Sequence, residues 1–523
     1  MSAARRVRIV LYAVNGTGVG HLTRLIAAAR WLRRYAAHAG VRAEIWFLTT
    51  SEADVLLFHE RFVSFKLPSR TALSEGDVDR ATYLALAKQW VWHTLGLLSP
   101  DLLVVDTFPR GACGELLSAL DLVQRRAFVF RPVKDEVMQR ADFQAMLPMY
   151  DAIIVPEREG EADVLVPDAA RDALVFTGPV MARERVELLS RADARARLGI
   201  AAHARAVLVS AGGGGDATAE TTLARVVTVL RRDPRAHLVV AAGPLYRGPI
   251  LGGERVTFHT SPALSELMPA FDVAVSGAGY NTFSELMHAG VPAVFLPQDK
   301  RADDQHARAA KAERAGAGVV LPDGFTDDEL ATAVARLADD PDASARARAL
   351  VPRNHARELA AELLRLVLPA HEVDAAEAAV DDALLASARA LATTDTTLIA
   401  LARSLEHGAR RRERDADLPA LVLRAGLDAG ATAETTLEVV DALLRRVTSA
   451  ARQTAAARKS ASERARLARE ALTALGALGD WTSAAALTRA YVREHGATGF
   501  AAFVDDLRAR GESARSALVR GIA

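Results

Sequence analysis

The chain has 523 residues, 50% hydrophobic and 25% charged, with 65 Lys+Arg against 65 Asp+Glu. At roughly 100–200 residues per domain this describes a globular protein of about three domains. The zero net charge argues against a nucleic-acid partner, which calls for a basic excess to neutralise phosphates. The single cysteine, Cys113, excludes a disulfide framework and any multi-cysteine metal site.

The apolar run from Val7 to Val14 is too short for a signal peptide, and no run approaches the ~18 apolar residues of a membrane span. The expected compartment is cytoplasmic. From there short β-branched runs alternate with helical patterns, as in parallel α/β architecture. Strands are expected at Arg8–Val14, Ala43–Leu48, Leu102–Asp106, Ala127–Phe130, Ala152–Val155 and Leu174–Phe176. Continuously apolar runs such as Leu102 to Val105 imply a sheet covered on both faces. Gly178-Pro179 breaks the chain, and a helix is expected over Arg183–Leu198.

A second series follows at Ala206–Ser210, His237–Ala241, Arg255–Phe258, Asp272–Ser276, Ala293–Leu296 and Gly318–Leu321. Beyond Pro369 only amphipathic helices are expected: Glu372–Ala390, Thr397–Arg411, Glu434–Val447, Ser462–Leu478 and Ser483–Val492. The fold class is therefore α/β, two tandem Rossmann-like domains facing a cleft, followed by an all-α module. The expected boundaries are 1–178, 179–368 and 369–523. In open α/β sheets ligands bind at the carboxyl ends of the strands, which places the cleft between the lobes.

Three glycine-rich turns sit at such strand ends. The first, Val14-Asn15-Gly16-Thr17-Gly18-Val19-Gly20-His21, opens a helix, where close-approaching backbone and free amides suit an anion. His21 occupies the third glycine position of a dinucleotide fingerprint, and the second strand runs into Thr49-Thr50-Ser51 rather than an acidic residue, so NAD binding is disfavoured. A histidine at this point is a candidate general base; the alternative is a surface histidine at a helix start. The second turn, Ser210-Ala211-Gly212-Gly213-Gly214-Gly215-Asp216, offers amides that could cradle a phosphate or simply pack. The third, Ser276-Gly277-Ala278-Gly279-Tyr280-Asn281-Thr282-Phe283-Ser284-Glu285, is the most specific. Its glycines and hydroxyls suit a pyrophosphate, Glu285 a ribose, and Asp304 and Gln305 the hydroxyls of a sugar.

Residues 206–340 resemble the nucleotide-sugar-binding half of the GT-B glycosyltransferases, nearest to the MurG-like family 28 enzymes. Gly279, Thr282, Ser284 and Glu285 match that family's G-x-x-T-x-S-E motif, and Gln305 its donor-sugar glutamine. Asp304 departs from the family's consecutive glutamines. Thr260 to Leu264 correspond to its nucleobase-clasping loop, and Gly16 to His21 resemble its N-terminal loop. Asp106-Thr107-Phe108-Pro109-Arg110-Gly111, Glu115-Leu116 and Phe130-Arg131-Pro132 are instead similar to related, poorly characterised transferases. The resemblance spans residues 7 to about 366.

It implies transfer of a sugar from a nucleoside-diphosphate donor, by family default a UDP-sugar, with inversion and with no metal or other cofactor. The acceptor, whether lipid, glycan, peptide or small molecule, is undetermined. His21 is the expected base, with Asp106 or Glu115 as alternatives on the acceptor side. The expected donor contacts are Gly18, Gly20, Ser210, Gly212, Gly213, Gly277, Gly279, Asn281, Thr282, Ser284, Glu285, Asp304 and Gln305. Arg131 is a candidate phosphate or acceptor contact, or else one half of an ion pair. The string Gly20 to Arg24 also resembles nucleotide-sugar hydrolases, and a non-catalytic nucleotide-sugar binder is a third reading.

Asp77-Val78-Asp79 is formally a metal motif, but it lies in a polar loop with no strand before it. The stretch Tyr83 to Leu98, with Trp90 and Trp92, reads as a helix packed beneath the sheet, with peripheral contact at the inner face of a membrane as the alternative. The helical tail is a candidate protein-binding module. Its basic cluster, Arg410-Arg411-Arg412 with Arg414, reads as a solvated face.

Overall fold

The computed structural model describes residues 5–14, 18–111, 114–216, 218–259, 264–300 and 302–380. The helices expected from Thr397 onward, the basic cluster, Cys113, the turn residues Asn15, Gly16 and Thr17, and most of the Thr260 loop lie outside these.

Among the described residues thirteen strands form two parallel sheets. The first contains β1 (Arg6–Ala13), β2 (Arg42–Thr49), β3 (Val63–Lys66), β4 (Leu102–Asp106), β5 (Arg125–Val129), β6 (Ala152–Val155) and β7 (Leu174–Phe176), in the order β3-β2-β1-β4-β5-β6-β7. The second contains β8 (Arg205–Ser210), β9 (Ala236–Ala241), β10 (Val256–His259), β11 (Val273–Ser276), β12 (Ala293–Phe295) and β13 (Gly318–Val320), in the order β10-β9-β8-β11-β12-β13. In each sheet the order reverses beside the first strand, which makes a switch point between β1 and β4 and another between β8 and β11. This tandem of doubly wound lobes is the GT-B arrangement.

The apolar runs are central strands because helices cover both sheet faces. Every residue of β4, β6 and β11 is buried. The helix Arg80–Leu98 turns Tyr83, Ala87, Val91 and Leu95, spaced by four, into the core of the first lobe against Val10, Val105 and Phe128. Trp90 packs partly against the same core and meets Phe65 edge-on, while Trp92 on the outer face is 44% exposed. Asp79 of the formal metal motif caps this helix, its carboxylate accepting from the Thr82 amide at 2.7 Å. No helix among the described residues is long and apolar enough to cross a membrane.

After the second sheet the chain returns to the first lobe. The Asn354 side chain accepts from the Met181 amide at 3.0 Å and donates to the Met181 carbonyl at 3.1 Å. The His355 amide donates to Pro179 at 2.8 Å. Arg357, at the start of the helix Ala356–Arg365, lies over the Trp31 ring at 5.1 Å.

Among the described residues both sheets fall in one compact unit, within 5–32, 41–182 and 195–370; a second holds 33–40, 183–194 and 371–380. Within the second unit residues 371–380 are helical, as expected at the start of Glu372–Ala390.

Two elements depart from expectation: β3, which was not anticipated, and one helix. The helix over Arg183–Leu198 begins only at Arg191; before it stands a single 3-10 turn, Arg185–Glu187. Two local caps interrupt it. The Glu184 amide donates to the Glu187 carboxylate at 2.8 Å, and the Asp193 amide donates to the Ser190 hydroxyl at 3.1 Å.

Candidate functional site

The carboxyl end of β4 carries Asp106 at 0% exposure. Thr107 next to it adopts φ +62, a conformation rare for a β-branched residue and held by its surroundings. Its amide donates to the Val129 carbonyl at 2.9 Å, and its hydroxyl donates to Asp106 Oδ1 at 2.6 Å. The tight turn carries Phe108 back beside His21, ring centroids 5.5 Å apart.

His21 and Arg24 leave the helix Gly20–His38 one turn apart on the same face, toward the end of β4. His21 Nδ1 stands 2.6 Å from Asp106 Oδ1. Arg24 Nη1 donates to both Asp106 oxygens, at 2.9 and 2.8 Å. Burial would raise the Asp106 pKa, but Arg24 and His21 outweigh it and hold the carboxyl at about 2. Burial also dominates at His21 and lowers its pKa below the ordinary value, against the opposing pull of Asp106. At neutral pH the pair is therefore a carboxylate accepting Nδ1–H from a neutral imidazole, which leaves a lone pair on Nε2. The His21 side chain is 17% exposed, so it is reachable.

The donor-side motif meets this centre. The helix Tyr280–Ala289 begins at Gly279, and its first residues reach the first lobe. The Asn281 amide nitrogen donates to the Gly20 carbonyl at 3.1 Å and also to the Thr23 hydroxyl. The Tyr280 hydroxyl donates to the Pro156 carbonyl, and Arg24 lies over its ring at 4.8 Å.

Behind the motif, buried Gln305 braces the turn: its Oε1 accepts from the Ala278 and Gln298 amides, both at 3.1 Å. A Cβ on Gly277 would stand 3.2 Å from that oxygen, so the turn has little room for anything larger than glycine. Ser284 is buried, and Glu285 is partly exposed on the same helix. The Ser276 hydroxyl at the end of β11 and Asn281 Oδ1 are buried without a hydrogen-bond partner among the described residues.

The Gly212 turn stands beside this motif, a Cβ on Gly212 falling 3.8 Å from the Thr282 hydroxyl. The Ser210 hydroxyl accepts from the Gly212 amide at 3.1 Å and shapes the turn. Gly214, at φ +79, has no space for a side chain: a Cβ would lie 2.1 Å from the Ala242 carbonyl. Asp216 pairs with Lys300.

Several expected contacts are engaged elsewhere. Asp304 caps the helix Gln305–Arg314, accepting from Ala307 at 2.9 Å, and is exposed. Gln305 uses its oxygen on backbone, and the Asn281 nitrogen ties the lobes. Arg131 is a buried ion-pair partner of Asp303 at 2.5 Å and also donates to the Ala302 carbonyl at 3.2 Å. Glu115 is buried beneath the Gly111 turn and accepts from the Tyr12 hydroxyl, while Asp106 is the carboxylate that His21 meets. His288 is buried with Nδ1 3.1 Å from the Val351 carbonyl. Arg24 was not among the expected site residues; its spacing of three from His21 on one helix was the available signal.

With two tandem lobes meeting through a glycine-hydroxyl-glutamate motif, the fold and motif resemble those of the MurG-like, family 28 glycosyltransferases. Residues 251–364 match the family described as glycosyltransferase family 28 C-terminal domain. The UDP-N-acetylglucosamine--N-acetylmuramyl-(pentapeptide) pyrophosphoryl-undecaprenol N-acetylglucosamine transferase of Sorangium cellulosum is 38% identical over 109 residues, 20% of this chain and 27% of that one. The enzyme of the same name from Salinibacter ruber is 32% identical over 179 residues, 33% of this chain and 48% of that one. The chain thus spans about half or less of the length of these curated relatives. Among solved structures it is similar to the kitacinnamycin glycotransferase, at 18% identity and TM-score 0.48, covering 70% of this chain and 99% of that one. It is also similar to Acinetobacter baumannii MurG, at 15% identity and TM-score 0.44, covering 69% and 99%.

Proposed function

We propose that this chain is a glycosyltransferase that moves a sugar from a nucleoside-diphosphate donor, by preference a UDP-sugar, onto a hydroxyl-bearing acceptor. The observation that carries the reading is the His21–Asp106 pair, a neutral base backed by a buried carboxylate and set against the family 28 donor motif. In this reading His21 Nε2 removes the acceptor proton as the oxygen attacks the anomeric carbon. The nucleoside diphosphate departs from the opposite side, so configuration inverts. A positioned base of this kind contributes about 10²–10⁴-fold.

The amides of the Gly212 and Gly277 turns and the start of the helix Tyr280–Ala289 bear the leaving diphosphate's charge, with no metal invoked. Glu285 binds the ribose, and the buried Ser276 hydroxyl and Asn281 Oδ1 are polar groups left for a ligand. The names of the curated relatives favour N-acetylglucosamine as the sugar and a polyprenyl-diphosphate lipid as the acceptor. That acceptor would bring the protein to the inner face of a membrane.

Calorimetric titration with UDP, TDP and GDP, without added metal, tests the donor half. The expected outcome is binding of UDP, lost in Glu285→Ala; no binding of any of the three defeats the reading. Release of UDP from UDP-N-acetylglucosamine that needs no acceptor would convert the transferase into a hydrolase.

A further inference from the structure

We propose that Arg24 is the positioning residue of the His21–Asp106 pair, fixing the carboxylate and keeping the histidine in its proton-accepting form. The inference rests on the base role given to His21 above. Arg24 is 1% exposed, and its Nη1 straddles both Asp106 oxygens. Its buried Nε–H has no hydrogen-bond partner among the described residues. A buried guanidinium with an unmet donor costs stability that an apolar side chain of similar volume would not, so packing does not account for arginine here.

The electrostatics do. Asp106 alone, 2.6 Å from His21, would stabilise the imidazolium, and a protonated histidine accepts nothing. Burial is the largest cause that lowers the His21 pKa; the positive charges of Arg131 and then Arg24 add to it, and Arg24, bonded to both oxygens of Asp106, offsets the pull of that carboxylate at its source. The other charged groups around the pair are Arg131, Asp303, Arg308 and Glu157. Arg131 is paired with Asp303, which also takes Arg308; Glu157 is half-buried and feels both Arg308 and Arg24. Arg131 feels Asp106 through charge alone, whereas Arg24 hydrogen-bonds both of its oxygens. The guanidinium also lies over the Tyr280 ring, 4.8 Å from its centroid, a favourable seat for a cation.

The test is an NMR titration of the His21 ring in the ligand-free, full-length protein. Arg24→Gln should raise the midpoint by about one unit or more, since the carboxylate is then uncompensated. Arg24→Lys, which keeps the charge, should leave it within about half a unit of wild type. An unchanged midpoint in Arg24→Gln overturns the proposal. So does an Arg24→Lys shift as large as that of Arg24→Gln, because the effect would then be packing rather than charge.

Where Arg24→Gln does not fold, Asp106→Asn reads the same balance from the other side. The midpoint should fall, with Arg24 and Arg131 left beside His21, and a midpoint at or above wild type overturns the proposal. In turnover, Arg24→Gln should lower kcat and move the acidic limb of its pH profile upward, with the donor KM unchanged. The titration needs no substrate. A chain that titrates as described and transfers no sugar keeps the positioning role and loses only the transferase reading.

Discussion

At the edge of the first sheet the chemistry lies in charged side chains buried together, His21, Arg24 and Asp106, with Thr107 strained beside them. At the facing edge of the second sheet it lies in backbone turns, Gly212 to Gly215 and Gly277 to Gly279, braced by Ser210 and Gln305. Amides suit a leaving diphosphate, whose charge every donor shares, whereas taking a proton from an acceptor needs one tuned titratable group. The residues that match a family model, 251–364, include the Gly277 to Gly279 turn and Gln305 but not the Gly212 turn.

The contrast can be broken from the side-chain edge first. His21→Ala should lower kcat by about 10²–10⁴-fold while nucleotide affinity stays near wild type, as read by steady-state kinetics and calorimetry. The lowered His21 pKa places the acidic limb of wild-type kcat/KM below pH 6.5, activity falling as the imidazole takes a proton. A limb above that pH would mean that His21 is held charged instead.

On the other edge the effect should be on binding. Glu285→Ala should weaken UDP binding by about 1.5–3 kcal/mol, the scale of a hydrogen bond to a charged group. Unchanged affinity would remove the ribose assignment.

The smallest effect sharpens the boundary between support and recognition. Asp304→Ala should lower the thermal midpoint through loss of a cap, about 1 kcal/mol, and Asp304→Ser should restore it with donor affinity intact. A loss of donor affinity in the serine variant would return Asp304 to the sugar site.

The central strands were readable because burial on both faces writes them as continuous apolar runs: Leu102–Asp106 and Ala152–Val155 coincide with the observed bounds, as does the partly buried Leu174–Phe176. β3 escaped because it is four residues long and exposed throughout. The misjudged helix over Arg183–Leu198 has good helix formers, but Glu187 and Ser190 redirect its backbone hydrogen bonds.

The donor motif was legible because glycines and hydroxyls at fixed spacing lie in one stretch. The proposed base centre was only half legible. Asp106 and His21 stood out singly at strand and helix ends, but their pairing joins residues 85 apart and no local pattern encodes it. For the same reason the sequence left Arg131 open between a phosphate or acceptor contact and an ion pair, and it pairs with Asp303, while Glu115, an alternative on the acceptor side, accepts from the Tyr12 hydroxyl.

The return of the chain to the first lobe bears on its synthesis. Trp31 and the Met181 backbone wait for Arg357 and Asn354, the latter pair separated by 173 residues. A ribosome that has finished the first sheet has therefore not finished its lobe. An apolar helix flank and two backbone groups stay open until the entire second sheet has emerged. The order of translation thus makes the second lobe's completion a condition for sealing the first, and a chain stopped between the two would present that unsealed flank to chaperones and proteases.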